Sequence, residues 1–321
     1  MFALLCLGHR TFAALVLAMA VAAGVQPGIA SDLKVVATSK PIHSLVAAVM
    51  VGVGSPTLIV EGNASPHSFT LKPSGARAIA NADVFFRISE SIEPFTTKLV
   101  TTLPKSVKVV TLADTPGLAT LPRRTGGTFA GGHNHGHGHD HDDEDKAGGA
   151  DGHVWLDPAN ARIMVAAIVN AIVVKAPQHT ARIEANAKAL DARIAAVAQD
   201  IAGRMTPLAG RSFILFHDAT QYFEKRFGIA AGGSITVSPD VQPSAKRLNA
   251  VRAKIKSTGA VCVFREPGYQ EKLVTAVTEG TSAKAGLIDP EGLNLEAGPG
   301  LYEALIRDLA AGFAACLGGT N

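Results

Sequence analysis

Large aromatic side chains are scarce in this chain: they make up 5% of its 321 residues, with a single tryptophan. Abundant Ala, Val and Gly in their place suit an α/β protein whose helices pack closely on sheets. An excess of charge of one sign is also lacking. The formal balance of +3 predicts neither nucleic acid nor a strongly anionic surface as partner. Cysteine is rare, at three residues. Long apolar runs are nearly missing: Thr11–Val25 is too short for a comfortable transmembrane helix, and no later stretch replaces it as an anchor.

That run accounts for the start of the chain. His9 and Arg10 form a short basic flank, and Gly28-Ile29-Ala30 places small residues where a signal peptidase cuts. Residues 1–30 therefore read as a secretory signal cleaved after Ala30, with an uncleaved anchor as the alternative. Cys6 lies too early to follow a proper apolar stretch, which sets aside a lipid-anchored cysteine. Cleavage removes one basic residue, Arg10, and no acidic one, leaving the mature chain at +2. About 290 residues remain, enough for two domains.

Only Cys262 and Cys316 survive that cleavage. In an exported chain the pair reads as a disulfide, closing a loop of about 54 residues and pinning the last helix to a core strand. Two unpaired buried thiols are the alternative.

Apolar runs of β type alternate with helical patterns. Strands are expected at Leu33–Ser39, Thr57–Glu61, Asp83–Ser89 and Val107–Leu112, with Pro73–Asn81 helical and another helix near Pro41. The rhythm returns with strands at Arg211–Phe216, Ile235–Ser238, Ala260–Phe264 and Ala285–Ile288. Helices are expected at Tyr222–Phe227, Ser244–Ser257, Gln270–Gly280 and Gly300–Cys316. Such βαβ alternation implies largely parallel sheets with helices on their faces.

Between the two sets, Ile183, Ala187, Leu190, Ile194, Val197, Ile201 and Met205 form one apolar stripe at helical period. A helix from Gln178 to Arg204 would be ~40 Å long. It reads either as a stiff connector running along both halves or as an ordinary packed helix of the second. The segment from Arg123 to Gly152 has few large apolar residues and cannot bury enough surface to offset its ordering entropy, so a mobile loop is expected there.

The chemistry lies in histidines. The loop carries His133, His135, His137, His139 and His141 among Gly and Asp, followed by Asp142, Asp143, Glu144 and Asp145. Such a row binds borderline-soft cations weakly and in several ways. An expression tag or an inert solvated run is the bland reading, but a tag belongs at a terminus and this tract is internal.

Three further histidines sit in loops near strand ends, where open α/β sheets bind ligands. His67 lies in Ala64-Ser65-Pro66-His67-Ser68-Phe69. His153 lies in Gly152-His153-Val154-Trp155-Leu156-Asp157-Pro158, before a helix that Asp157 can cap with Pro158 at its first position. His217 lies in Phe216-His217-Asp218-Ala219. Singly each reads as structural; together they suggest a metal site. Asp289, in Leu287-Ile288-Asp289-Pro290, has the same setting and could complete a tetrahedral set, or simply cap a turn. His43 also follows a strand and could face the same cleft, whereas His179 opens the long helix and is expected to face solvent.

These stretches, with Phe213–Phe227, Val241–Leu248, Cys262–Pro267 and Ala315-Cys316-Leu317, resemble the periplasmic zinc-binding proteins of bacterial zinc ABC importers, the ZnuA type. The resemblance spans nearly all of the mature chain, and the His-rich insertion falls where zinc-specific members carry theirs. It implies an α/β fold of two βαβ (Rossmann-like) lobes with mainly parallel sheets, joined by one long rigid helix, with metal in the interlobe cleft. The expected divisions are an N-terminal lobe over 31–177, a connecting helix over 178–205 and a C-terminal lobe over 206–321. His67, His153 and His217 are the implied Zn²⁺ ligands, with the fourth position a carboxylate or water. The implied disulfide is Cys262–Cys316.

The implied function is high-affinity periplasmic Zn²⁺ capture and delivery to a membrane ABC permease by a non-enzymatic monomer, with a periplasmic metallochaperone as a candidate partner. A third histidine at 217, where manganese receptors carry a carboxylate, favours Zn²⁺ over Mn²⁺. A His₃ zinc with an open position is also the layout of a hydrolytic catalyst, but the chain lacks a His-Glu-x-x-His helix and an evident general base beside the ligands. A metal-dependent adhesin or storage protein would share the site.

Overall fold

In the computed structural model the described residues are 33–125, 128–129, 149–239 and 241–319. The expected signal sequence lies outside them, as do all five histidines of the His-rich tract.

Two four-stranded parallel sheets carry the fold. The first contains β1 (Val35–Ala37), β2 (Thr57–Leu58), β3 (Val84–Arg87) and β4 (Lys108–Thr111), in the order β2-β1-β3-β4. The second contains β5 (Phe213–His217), β6 (Gly233–Thr236), β7 (Cys262–Arg265) and β8 (Lys284–Leu287), in the equivalent order β6-β5-β7-β8. Helices α1 (Lys40–Val49), α2 (Pro73–Ala80), α3 (Thr97–Val100) and α4 (Pro158–Lys175) belong to the first half. α5 (Thr180–Met205) follows, then α6 (Gln221–Phe227), α7 (Ala245–Thr258), α8 (Glu271–Thr278) and α9 (Leu301–Leu317) in the second.

Strand residues alternate between two cores, as period-2 geometry requires. In β1, Val35 and Ala37 face one core while Val36 faces another with Phe85, Ile79 and Ile59. In β5, Phe213 and Leu215 face the same inner core, while Ile214 and Phe216 turn to an outer one beneath α7 and α8. Both faces are covered, which is why these strands read as nearly continuous apolar runs. The inner core is shared by the two halves.

The reason is α5. Its 26 residues span ~39 Å, and Ile183, Leu190, Ile194, Val197, Ile201 and Met205 are all buried. It packs on α1 and α4 of the first half and on α9 of the second, while α1 also touches α9 directly. The stripe therefore belongs to a connector, as the first of the two readings held. α4 is long and apolar enough to cross a membrane by length and composition, but its Met164, Val165, Ile168 and Ile172 are packed in this core.

Element boundaries shifted where glycine misled. β6 begins at Gly233, not Ile235, because Gly233 and Ser234 pair with Ile214 and Leu215 even though a Gly-Gly pair reads as a turn. β2 is short, but Ile59 N and Val60 N still donate to Ala37 O and Thr38 O, extending the ladder.

Cys262 and Cys316 form a disulfide between β7 and α9. The bridge spans 54 residues, which on the chain-entropy account stabilises by about 4 kcal/mol. Replacing both cysteines by Ala should lower the unfolding free energy by up to about that much in urea titration. A loss near zero would mean that the helix packing alone fixes α9.

Candidate metal centre

Three separate segments of the chain converge. His67 lies on the loop after β2, His153 just before the turn at Val154–Leu156, and His217 is the last residue of β5. His153 Nε2 is 3.3 Å from His67 Nε2 and 3.4 Å from His217 Nε2. The ring centroids are 5.3–5.6 Å apart. Their side chains are 8%, 6% and 0% exposed for His67, His153 and His217 respectively. Among the described residues, these three form the one His, Cys and carboxylate cluster whose ligand atoms all lie within 4.8 Å.

The spacing has a chemical meaning. A tetrahedral Zn²⁺ sits ~2.0–2.1 Å from each imidazole nitrogen, and a tetrahedron's edge is about 1.63 bond lengths, so ligand nitrogens should stand ~3.3–3.4 Å apart. The two Nε2–Nε2 separations above match that edge.

Each of two rings is oriented from behind by a carboxylate. His153 Nδ1 lies 2.7 Å from Asp151 Oδ1, which also accepts the His153 backbone N–H at 3.0 Å. His217 Nδ1 lies 2.7 Å from Glu266 Oε2, and the His217 backbone N–H donates to Glu266 Oε1 at 3.2 Å. A carboxylate on Nδ1 fixes the tautomer, leaving the Nε2 lone pair for a cation and making it more basic. Gly152 makes the first arrangement possible. A Cβ there would come within 2.6 Å of Ile92 and 2.8 Å or less of Ser89 and Ser91, so the chain passes only without a side chain.

Burial, followed by the nearby His153, His217 and Arg123, holds the His67 pKa well below the usual imidazole value. Burial, His217, Arg123 and Arg124 do the same for His153. Both rings are therefore neutral near pH 7, the state a metal requires. His217 differs. Burial again disfavours its charge, but the Glu266 carboxylate outweighs this and raises its pKa. Burial lifts the Asp151 carboxyl to about 7.

The expected fourth ligand, Asp289, is not brought into this cluster. Its Oδ1 accepts from Leu293 N and its Oδ2 from Asn294 N, both at 2.9 Å, so the carboxylate closes a turn. Capping, the other reading of that residue, accounts for both oxygens. Two residues on, Glu291 lies beside His67: its Oε1 is 3.5 Å from His67 Nε2 and accepts from Ser65 Oγ at 3.0 Å. His43 lies on α1 with Nε2 3.1 Å from Pro56 O, outside the cluster. His179 caps α5 half-buried and takes no part in it.

A pocket of about 220 Å³ beside the triad is lined by His67, Arg123, Arg124, Asp151, His153 and Asp218, among others. Arg124 forks between Asp218 and Glu224, with contacts of 2.8–3.0 Å alongside a shorter one to Asp218. This ties the segment that enters the His-rich tract to the second lobe. Phe129 continues the tie: its N–H donates to Gly232 O at 3.0 Å. Asp151, Glu266 and Glu291 were missed by sequence reasoning. Asp151 had a signal, an acid two residues before a candidate ligand; Glu266 had only its place at the end of β7.

The family described as "Zinc-uptake complex component A periplasmic" (ZnuA) matches residues 35–316. The chain belongs to this family. It is 46% identical over 304 residues to the high-affinity zinc uptake system protein ZnuA of Brucella abortus, covering 88% of this chain and 91% of that one. The ZnuA protein of Paracoccus denitrificans is 34% identical over 324 residues, covering 95% and 98%. Among solved structures, the periplasmic zinc binding protein TroA from Treponema pallidum superposes with a TM-score of 0.74 at 19% identity, covering 89% of this chain and 99% of that one. FpvC from Pseudomonas aeruginosa, in complex with Mn²⁺, gives 0.75 at 15% identity, with the same coverage. At those identities the structural likeness speaks for the two-lobed fold alone.

Replacing Glu266 by Gln should weaken zinc binding about 10–100-fold, the usual cost of losing a partner behind a ligating histidine. Zinc affinity should also rise with pH through the raised His217 pKa, because the metal displaces a proton from its Nε2. In E266Q that rise should move to lower pH. Competition titrations across pH 5–8.5 read both, and an unmoved profile would count against Glu266 setting the His217 proton.

Proposed function

We propose that this chain captures Zn²⁺ in the periplasm, after export by a signal cleaved behind Ala30, and delivers it to the membrane permease of a zinc ABC importer. His67 and His153 from the first lobe and His217 from the second are the protein ligands. The observation that carries this reading is the match between the Nε2–Nε2 separations of 3.3 and 3.4 Å and the edge of a zinc tetrahedron. The names of the relatives, high-affinity zinc uptake proteins, agree with it. Three neutral imidazoles favour Zn²⁺ over Mn²⁺, while Cu²⁺ and Ni²⁺ compete on intrinsic affinity, so selection in the cell rests on geometry and metal supply.

The role is binding, not catalysis. Asp151 and Glu266, the acids nearest His153 and His217, are occupied behind the rings, where neither is placed to activate a metal-bound water. A zinc-loaded sample that hydrolyses esters or hydrates CO₂ would overturn this. The protein works as a monomer, and a periplasmic metallochaperone is a further candidate donor of zinc.

His133, His135, His137, His139 and His141 form an auxiliary, weaker capture loop. The chain on either side is anchored independently of it: Phe129 to Gly232, and Asp151 N to Leu121 O at 2.8 Å. Replacing residues 131–148 with a short Gly-Ser linker should therefore keep the tight site and slow loading only when zinc is scarce. Loss of tight binding in that variant would place the loop inside the main site.

His217→Ala should reduce zinc affinity by 100-fold or more by calorimetry, whereas His43→Ala should change it less than threefold. Equal losses would remove His217 from the ligand set.

A further inference from the structure

Glu291 stands in a position that no sequence motif marked. Its side chain is 3% exposed, and its Oε2 has no hydrogen-bond partner. Its Oε1 lies 3.5 Å from His67 Nε2, close to the ligand–ligand edge seen between the histidines. Among the described residues its one ion-pair partner is that histidine. A buried carboxylate with a bare oxygen is costly unless a cation joins it.

The loop that carries Glu291 is held firmly. Asp289 closes the turn on Leu293 and Asn294, and Trp155 Nε1 donates to Pro290 O at 3.1 Å. Lys40 Nζ donates to Leu293 O at 2.7 Å and to Leu295 O at 2.8 Å. Gly292, at φ +69°, supplies the left-handed turn between them. The backbone beside the triad is thus fixed.

We propose that Glu291, not Asp289, supplies the fourth ligand, an oxygen that completes an N₃O tetrahedron around the captured Zn²⁺. This rests on the zinc-capture reading above. Two ligands then come from each lobe: His67 and His153 from the first, His217 and Glu291 from the second. The carboxylate leans on Ser65 and His67; a turn of its side chain would bring the unpartnered oxygen toward the cation.

The test is a crystal of the full-length mature protein loaded with Zn²⁺ and read by anomalous scattering, together with zinc competition titrations of E291Q, H217A and wild type. The expected result is a zinc peak at the triad with a Glu291 oxygen ~2.0–2.2 Å away, and affinity at least tenfold weaker in E291Q. A zinc peak at the triad with water or Asp289 in the fourth position, or an E291Q affinity within threefold of wild type, overturns the assignment to Glu291 and leaves the triad standing. A peak away from the triad, or an H217A affinity equal to wild type, overturns the zinc-capture reading itself.

Discussion

The constraint on which the structure turns is that three imidazole nitrogens, 86 and 64 residues apart in steps along the chain, must stand within one cation's reach while uncharged. Burial supplies the second half of that condition. A protonated imidazole in such a site would face two others with no water to screen them, so the neutral form wins for His67 and His153. Asp151 and Glu266 supply the first half by holding Nδ1 and the backbone N–H of the same residue at once, which fixes the ring against the strand end. Together these contacts preorganise nitrogens that would otherwise drift apart.

Such precision requires a frame that does not bend freely. Two sheets of the same topology would make two independent lobes if each had its own core. Here α5 buries one stripe along both, α1 meets α9 directly, and a disulfide holds α9 to β7. Polar ties crowd the rim of the site. Tyr222 Oη donates to Asp151 O at 2.8 Å, Tyr302 Oη donates to Trp155 O at 2.8 Å, and Arg226 forks onto Asp157, the residue that also caps α4. These bonds cross between the halves next to the ligands, so a relative displacement of the lobes is resisted where it would matter most.

Much of this was legible from residues alone. The period of the α5 stripe, the Asp157-Pro158 helix start and the two cysteines each follow from local rules, and the strand ends of an open α/β sheet told where ligands gather. What escaped was set by tertiary geometry. Glu266 carries no local mark, because its role depends on β7 lying beside β5. The surroundings of Asp289 and Glu291 escaped for the same reason: both follow the last strand, and only the fold reveals that Leu293 and Asn294 consume one carboxylate while the other is turned toward His67. β6 starts at Gly233, two residues before the expected Ile235, because its pairing with β5 depends on a strand partner that local sequence does not register.

A carrier must release its cargo as well as hold it, and the arrangement of the ligands bears on how. If all of them sat on one lobe, motion between lobes would leave the metal's coordination intact. If the metal is held as proposed, by His217 on the opposite lobe from His67 and His153, any partner that shifts one half against the other would lengthen metal–nitrogen bonds directly, and those bonds tolerate only a few tenths of an ångström. The stiff frame then has two consequences at once. It keeps thermal motion from leaking the ion, and it makes a small imposed tilt enough to open the site. Tight capture and prompt release conflict for a flexible receptor; for a stiff one with ligands divided across its seam, both follow from the same geometry.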